Sequence, residues 1–311
     1  MPCDDPTWSN FTKFFIDCFN DLGLKKLIST CCAQNDDSLN GKGKVLTLCR
    51  NTNDSDAKNT CQWDYLQGNG DFRSDEVSVL RDEADIIITN PPFSLFRDFL
   101  TWIMNSGKQF AIIGNMNAIT YKEIFGLFKN NQLWLGVHKI KFFATPCDNN
   151  ARKNIEWRDG TNFAAFGNVC WFTNITHGKR YDILKLNSME CNLNDKLLNK
   201  HQHAYQRYEN YHAIEVPKVK AIPSDYEGVM GVPISFLEKY NPTQFEILGM
   251  CENEDLYQLK TRVYNTLEKQ EAYFAKFNKK GSYDLNASAV LSINGKLHKV
   301  YQRILIRHKN S

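Results

Sequence analysis

Residues 84–114 constrain the fold of this chain more than any other stretch. Residues 84–89 read Ala-Asp-Ile-Ile-Ile-Thr, an apolar and β-branched run typical of a strand buried on both faces of a parallel sheet. An Asn-Pro-Pro-Phe loop follows at 90–93, and Ser94 is then placed to cap a helix. The apolar stripe of this helix consists of Leu95, Phe96, Phe99, Leu100, Ile103 and Met104. Gly107 ends the predicted helix, and residues 109–114 form the next predicted strand.

The order strand, loop, helix, strand predicts an α/β fold with a Rossmann-like, doubly wound sheet. Crossovers between parallel strands are right-handed, and such sheets bind ligands at the carboxyl ends of their strands. The loop at 90–93 is therefore expected at a substrate-binding edge. Upstream, Ser9 is predicted to cap a helix that ends at Gly23, before a strand within 24–30. Downstream, residues 134–137 and 168–175 are predicted to form an antiparallel pair at the sheet edge.

The character of the sequence changes near Glu215. Beyond this point short strand-like pieces alternate with turns, including an Asn294-Gly295 hairpin signal. A chain of 311 residues is long enough for one large domain and a smaller partner. We therefore predict a first domain over 1–214 and a smaller α+β region over 215–311.

Composition and spacing argue against several classes of protein. No apolar run approaches the roughly 18 residues that a membrane helix needs, and the acidic start does not resemble a signal peptide. A cytoplasmic protein without a membrane partner is expected. The ten cysteines are scattered without a CxxC pair, which argues against a zinc ribbon and against a disulfide framework. His201 and His203 have no third candidate ligand at a useful spacing, so we expect surface positions and no metal site.

The loop at 90–93 carries the strongest chemical signal. An exocyclic amine of a base is a poor nucleophile because its lone pair is delocalised into the ring. The side-chain oxygen of Asn90 and the carbonyl of Pro91 can both accept its hydrogens, which favours the tetrahedral nitrogen of a methyl-transfer transition state. Pro91 and Pro92 fix φ and add no competing N–H, and Phe93 offers a flat face for a base extruded from a duplex. The alternative is an ordinary proline turn after a buried strand.

Two further segments are candidates for binding a cofactor. Residues 68–74 read Gly-Asn-Gly-Asp-Phe-Arg-Ser, but they lack the third glycine of a dinucleotide fingerprint and no helix clearly follows. Asp71 and Phe72 can instead receive the adenine amine of a cofactor and stack on its ring, and a plain turn with a solvated Asp is the alternative. Asp4 and Asp5 precede a predicted helix, where capping alone explains acidic residues.

The C-terminal part of the chain is basic. The net charge of +3 is too small to identify nucleic acid as the partner. Beyond Lys260, however, lysines and arginines alternate with tyrosines, a mixture suited to phosphates and sugars. Lys279, Lys280 and Arg303 are the candidate contacts to DNA, although a solvated surface has the same composition.

Six blocks of the sequence resemble the EcoRI-type family of adenine-specific DNA methyltransferases. They occur in the family's order and read CDDPTWSNFTKFF, GDFRS, IIITNPPFSLFRDFL, FAAFGNVCWFTNI, GVMGVPISFLEKYNPTQFEILG and INGKLHKVYQRILIR. The resemblance implies a Rossmann-like methyltransferase sheet, S-adenosylmethionine as the methyl donor and double-stranded DNA as the substrate. It also implies base flipping, action as a monomer, and a restriction-modification system with a paired restriction endonuclease.

The resemblance also assigns roles to residues of this sequence. Residues 90–93 match the catalytic loop, in a catalytic domain over 1–214, and the region over 215–311 matches the part that recognises the DNA target. The cofactor-binding positions that the resemblance implies are Asp4, Asp5, Pro6, Asp71 and Phe72.

The sequence departs from the family pattern in two places. Family members carry a Phe-Tyr-Thr segment and a first strand ahead of the first block. Because both are lacking here, we expect this chain alone to bind S-adenosylmethionine weakly or not at all. The strand end at 29–31 lacks the carboxylate that many methyltransferases place on the cofactor ribose. The alternative functions are methylation of RNA or of a protein glutamine, and an inactive DNA-binding remnant.

Overall fold

The computed structural model describes two compact units. The residues described are 1–33, 41–51, 59–138, 140–145, 155–165, 167–195, 198 and 203–309. The first unit comprises Met1–Phe128 and Gln132–Ile175, and the second comprises Lys129–Asn131 and Thr176–Ser311.

The boundary at Thr176 differs from the predicted boundary near Glu215. The side chain of Asn241 donates to the carbonyl oxygen of Tyr181 at 2.9 Å. Gln244 bonds the backbone of Leu184 through both its amide oxygen and its amide nitrogen, at 2.8 and 2.9 Å. These bonds attach the segment after residue 175 to the second unit. The polar composition of that segment did not indicate to which unit it belongs.

The first unit contains four helices and ten strands among the described residues. The helices are α1 (Asn10–Asp17), α2 (Asp75–Glu83), α3 (Phe96–Met104) and α4 (Lys122–Lys129). The strands are β1 (Lys26–Cys31), β2 (Lys44–Cys49), β3 (Thr60–Tyr65), β4 (Ile86–Thr89), β5 (Gln109–Asn115), β6 (Trp134–Leu135), β7 (Phe142–Thr145), β8 (Ile155–Arg158), β9 (Thr161–Ala165) and β10 (Val169–Thr173).

The described strands of this unit form three sheets. Strands β4 and β5 are parallel neighbours with α3 between them in sequence, which confirms the predicted strand-loop-helix-strand unit. Strand β10 pairs antiparallel with both β5 and β6, so the predicted antiparallel pair is also confirmed. The other two sheets have the antiparallel orders β1-β2-β3 and β7-β9-β8.

Helix α3 packs its predicted apolar stripe into the core. Its fully buried side chains are Phe96, Phe99, Leu100 and Ile103. The prediction that Ser94 caps this helix was wrong. The N–H of Leu95 donates to the carbonyl of Pro92 at 3.0 Å, so a 3-10 turn over Phe93–Leu95 comes first and Ser94 lies inside it.

The N-terminal residues lead directly to the carboxyl ends of two strands. The Met1 nitrogen donates to the carbonyl of Ile28 at 2.6 Å, and its carbonyl accepts from the N–H of Thr30 at 3.1 Å, the pattern of a parallel ladder. Strands β1 and β4 both line a cavity of about 430 Å³ beside Met1 and Pro2. The chain then enters α1, and the predicted cap Ser9 accepts from the N–H groups of Phe11 and Thr12. This helix ends at Asp17, earlier than predicted.

The second unit is an α+β arrangement in its described residues. Its elements are α5 (Met189–Asn194), β11 (Ile214–Glu215), β12 (Met230–Pro233), β13 (Phe245–Met250), α6 (Thr266–Phe277), β14 (Val290–Ile293), β15 (Lys296–Lys299) and β16 (Arg303–His308). One sheet has the order β11-β12-β16-β13, and β14 pairs with β15. Asn294 and Gly295 have φ values of 51° and 73°, as the predicted two-residue hairpin turn requires.

The helices of the described chain are short relative to a lipid bilayer. None of those that the structure describes is both long enough and apolar enough to cross a membrane.

Candidate active site

The Asn-Pro-Pro-Phe loop begins where strand β4 ends. Thr89, the last residue of the strand, is fully buried, and Pro91 is buried as well. Asn90 is exposed, and 45% of the Phe93 side chain is accessible. The loop therefore starts from buried residues and exposes an amide and an aromatic ring to solvent. It lies at the carboxyl end of a strand, as predicted.

The side-chain amide of Asn90 is available for a substrate. Within the described ranges it has no hydrogen-bond partner, although its backbone N–H donates to Asp4 Oδ2 at 3.4 Å. The two prolines restrict the backbone that follows Asn90, so the Pro91 carbonyl is directed before any ligand arrives, as stabilisation of a transition-state charge requires. The Asn90 amide oxygen is accessible beside it.

Asp4 lies under this loop. Its side chain is only 5% exposed. Oδ1 accepts from the Ser9 hydroxyl at 3.1 Å, and Oδ2 contacts the Thr89 hydroxyl as well as the Asn90 N–H. Burial raises the pKa of the Asp4 carboxyl, and the hydrogen bonds from Thr89 and Ser9 oppose that rise only in part. The carboxyl group thus connects the start of α1 to the first residue of the loop.

Asp5 lies at the carboxyl end of β1. It accepts from the backbone N–H of Thr7 at 2.7 Å and from the Thr7 hydroxyl, and the Cys31 thiol lies 3.4 Å from its Oδ2. Burial acts to raise the pKa of Asp5, but the bonds from Thr7 outweigh it and hold the pKa below its usual value. Asp5 is therefore a carboxylate next to the end of β1.

Asp71 belongs to a turn that packs against the same strand end. Gly70 has a φ of +78°, and a Cβ there would lie 2.3 Å from the Cys31 carbonyl oxygen, so only glycine fits. Asp71 accepts from Arg73 Nε at 3.0 Å and Nη2 at 2.7 Å, and this pairing lowers the pKa of Asp71. Its side chain remains 29% exposed. A helix does follow this turn, contrary to the prediction, because Ser74 caps α2.

The role implied for Phe72 does not fit its position. The ring is 2% exposed and makes edge contacts with Phe99 and Trp102 at centroid distances of 4.9 and 5.5 Å. Both partners belong to α3, so Phe72 fills the core between helices and offers no free face to a cofactor ring. The predicted stacking role of Phe72 is therefore wrong.

The structure brings most of the predicted site residues of the first unit together. Asp4 contacts Asn90, Asp5 contacts Cys31, and the Cys31 carbonyl touches the turn that carries Asp71. Pro6 is buried beside Asp5. Sequence analysis missed Thr89, whose hydroxyl contacts both Asp4 and the carbonyl of Pro2. The available signal was a hydroxyl residue at the end of an otherwise aliphatic run.

The candidate DNA contacts of the second unit differ in exposure. Lys279 and Lys280 are exposed just beyond α6, after the left-handed cap residue Asn278. Arg303 is 7% exposed and bonds Glu215 through Nε and Nη2, the latter at 2.6 Å. An arginine in a buried ion pair is not available to a phosphate, so the prediction for Arg303 was wrong.

No metal site is evident in the part of the chain that the structure describes. No group of three or more His, Cys, Asp or Glu side chains is arranged to hold an ion there. His201 of the predicted surface pair lies outside the described residues, and His203 lies within them.

Comparison with known proteins adds an independent finding. A family profile described as adenine-specific methyltransferase EcoRI matches residues 1–309. The Type II methyltransferase M.EcoRI of Escherichia coli is 39% identical over 274 residues, covering 81% of this chain and 78% of that protein. M.MpnI of Mycoplasma pneumoniae, also a Type II methyltransferase, is 37% identical over 272 residues, covering 84% and 78%. A Type II methyltransferase of Mycoplasma genitalium is 34% identical over 315 residues, covering 98% and 86%. No solved structure matches the chain significantly.

Proposed function

Because the chain belongs to the EcoRI family of adenine-specific DNA methyltransferases, we propose that its Asn90 loop methylates the 6-amino group of an adenine in duplex DNA. The observation that carries this proposal is the exposed side-chain amide of Asn90, which has no partner among the described residues and lies between the buried residues Thr89 and Pro91. The family is adenine-specific, which disfavours a glutamine substrate, and the relatives are Type II methyltransferases, which modify DNA and so disfavour an RNA substrate.

The loop acts on the target amine through its oxygens. The Asn90 side-chain oxygen and the Pro91 carbonyl accept the two amino hydrogens, so the lone pair is withdrawn from the ring and directed at the incoming methyl group. Phe93, exposed at 45%, supplies a face on which a flipped base can stack. S-adenosylmethionine supplies an electrophilic methyl group when it is bound.

The proposed cofactor site lies beside this loop. The parallel unit of β4, α3 and β5 places the loop at the carboxyl ends of strands, as in Rossmann-like methyltransferase sheets, and we assign that architecture to the first unit. S-adenosylmethionine carries an adenine amine and ribose hydroxyls, which need acceptors. The carboxylate of Asp71 fits this requirement best, because its pKa is lowered and its side chain is 29% exposed beside the end of β1. The Asp5 carboxylate also has a lowered pKa and lies at the end of β1, but it is only 6% exposed, so we assign it a supporting place in the cofactor site. Pro6 shapes the backbone next to them.

Replacing Asp71 with alanine should weaken the binding of S-adenosylmethionine about tenfold or more, since a hydrogen bond to a charged group contributes on the order of 1.5–3 kcal/mol. Its partially exposed carboxylate is bonded by the exposed Arg73, so the fold should not depend on it. Isothermal calorimetry with S-adenosylmethionine measures the change directly.

Asp82→Ala is the matched control for Asp71. Asp82 pairs with Arg81 at 2.8 Å and has a 58% exposed side chain, but it lies in the last turn of α2, away from the turn that holds Asp71. An equal loss of affinity in both variants would show that the effect is general, and it would remove Asp71 from the cofactor site.

The second unit carries a surface suited to DNA phosphates, which we call the lysine-tyrosine patch. Lys276 and Lys299 place their ammonium groups 5.8 and 6.0 Å from the Tyr283 ring centroid. Burial lowers the pKa of His298, and the nearby positive charges of Lys276 and Lys296 lower it further. The patch consists of Lys276, Lys279, Lys280, Tyr283, Lys296 and Lys299. Clustered cations beside an aromatic ring favour a polyanion over a protein surface.

Replacing Lys279 and Lys280 together with alanine should reduce the slope of log affinity against log salt by about two, because each lost phosphate contact removes about 0.9 released counterions. The measurement is a titration of a labelled duplex at several salt concentrations. The control is the pair Lys179→Ala and Lys185→Ala, which removes two exposed lysines of the same unit that lie outside the patch and outside residues 215–311. Equal slopes in both double variants would show that Lys279 and Lys280 are ordinary solvated residues and not phosphate contacts.

We further infer that the enzyme acts as a monomer, since one chain contains both the proposed catalytic loop and the proposed DNA patch. Its relatives are Type II methyltransferases, whose systems pair modification with a restriction endonuclease, and we propose such a partner for this chain.

A further inference from the structure

The contacts of Asp4 point to a function that differs from the cofactor role implied by family resemblance. Its carboxyl group is buried, and both oxygens already have partners within the protein. A cofactor hydroxyl or amine would have to displace one of these bonds. The partners are the last residue of β4 and the first residue of the loop, with Ser9 on the opposite side.

The Thr89 hydroxyl limits the proton arrangement at this position. Its oxygen lies within hydrogen-bond distance of both the Pro2 carbonyl and Asp4 Oδ2. A hydroxyl has one proton, and a carbonyl only accepts. If Thr89 donates to Pro2, the contact with Asp4 is a hydrogen bond only when Asp4 carries the second proton. Burial raises the pKa of the Asp4 carboxyl, while the hydrogen bonds from Thr89 and Ser9 and the positive charge of the Met1 nitrogen act to lower it.

We propose that Asp4 is a positioning residue for the methyl-transfer reaction, and that its buried carboxyl group holds the Thr89–Asn90 junction so that the Asn90 amide points at the target amine. This inference rests on the proposed catalytic role of Asn90. Asp4 does not touch the substrate or the cofactor, and it acts through the backbone of the loop.

The geometry explains why such an anchor is needed. The two prolines fix the backbone after Asn90, but they leave the direction of the loop relative to the sheet undetermined. Asp4 bonds the residues on both sides of the strand-to-loop transition, and its own backbone carbonyl accepts from the Ser29 hydroxyl at 2.8 Å. The loop is thereby fixed relative to the ends of both β1 and β4.

The test compares Asp4→Ala, Asp4→Asn and Thr89→Val in the full chain. A positioning role predicts that Asp4→Ala lowers kcat about ten- to a hundredfold, because small displacements of a catalytic group have effects of this size. Calorimetric affinity for S-adenosylmethionine and KM for DNA should stay near those of the parent. Thr89→Val, which removes the hydroxyl but keeps the shape, should lower kcat in the same way. Asp4→Asn should recover most of the loss, since its amide oxygen can still accept from the Thr89 hydroxyl and from the Asn90 N–H.

Ser9→Ala is the matched control, because it removes the other hydrogen bond to the same carboxyl group. Ser9 caps α1 and bonds the carboxyl oxygen that faces away from the loop, so this variant should lower the melting temperature and lower kcat less than Thr89→Val does. If Asp4→Ala does not fold, Thr89→Val and Asp4→Asn still decide the question.

Three results would overturn the inference. A loss of S-adenosylmethionine affinity equal to the loss of activity would make Asp4 a cofactor ligand. An Asp4→Asn variant no better than Asp4→Ala would show that the hydrogen bonds to the Thr89–Asn90 junction are not what turnover requires. Asn90→Ala separates this inference from the proposed function: if it is inactive while Asp4→Ala and Thr89→Val are fully active, only the positioning role fails.

Discussion

Asn90→Ala is expected to lower kcat by at least about a hundredfold, because removing one aimed polar group that acts in the transition state has an effect of this order. The exposed side chain has no partner within the described residues, so its loss should leave the stability of the protein unchanged. Affinity for DNA and for S-adenosylmethionine should also stay near that of the parent. Single-turnover transfer of a labelled methyl group to a duplex, with separate equilibrium binding of both ligands, distinguishes chemistry from binding.

Asn105→Ala is the matched control for this experiment. Asn105 is exposed at the opposite end of α3, where it forms the C-cap through its backbone N–H alone. It should retain full turnover. An Asn90→Ala variant that keeps most of its turnover would contradict the assignment of the catalytic loop.

Arg303→Ala is expected to lower the free energy of unfolding by about 3–5 kcal/mol, because it leaves a buried charge without its partner. Arg303 and Glu215 are 9% and 6% exposed in their side chains, and Nη2 lies 2.6 Å from Oε1. Tyr208 donates to the same carboxylate, and burial together with Glu215 raises the pKa of Tyr208, so the phenol keeps its proton. Denaturant unfolding of the purified protein measures the loss.

The strand that carries Arg303 also supplies the control. Arg307 pairs with Glu246 at 2.7 Å, but these side chains are 49% and 43% exposed. Arg307→Ala should change the free energy of unfolding by no more than about 1 kcal/mol, as for other surface ion pairs. A stable Arg303→Ala variant with a flatter salt dependence of DNA binding would instead restore Arg303 as a phosphate contact.

Replacing both partners tests the origin of the Arg303 effect. A double variant, Arg303→Met with Glu215→Leu, removes the buried charges together and should be more stable than Arg303→Ala. If it is equally unstable, the loss arises from packing around Tyr208 and not from the unpaired carboxylate.

Features encoded by neighbouring residues could be predicted from the sequence. The aliphatic run before the loop, the two prolines and the apolar stripe of α3 each act over a few residues, and the structure contains the strand, loop and helix in that order. The Asn294-Gly295 turn is equally local, since only residues that tolerate positive φ fit its geometry. The prediction from neighbouring residues failed at Ser94. The N–H of Leu95 bonds the carbonyl of Pro92, so Ser94 lies inside a 3-10 turn and does not cap α3.

What the sequence determined by itself was therefore the type of site: a strand, a loop with two prolines, a side-chain amide and candidate carboxylates. The tertiary structure alone decided which polar groups are free to act. Asp4 and Thr89 are 85 residues apart in sequence, and Glu215 and Arg303 are 88 apart. Residue type says what a carboxyl, a guanidinium or a ring can bind. Burial decides whether it meets water, a ligand or another side chain, and burial arises from packing between distant segments, as it does for Phe72 against α3.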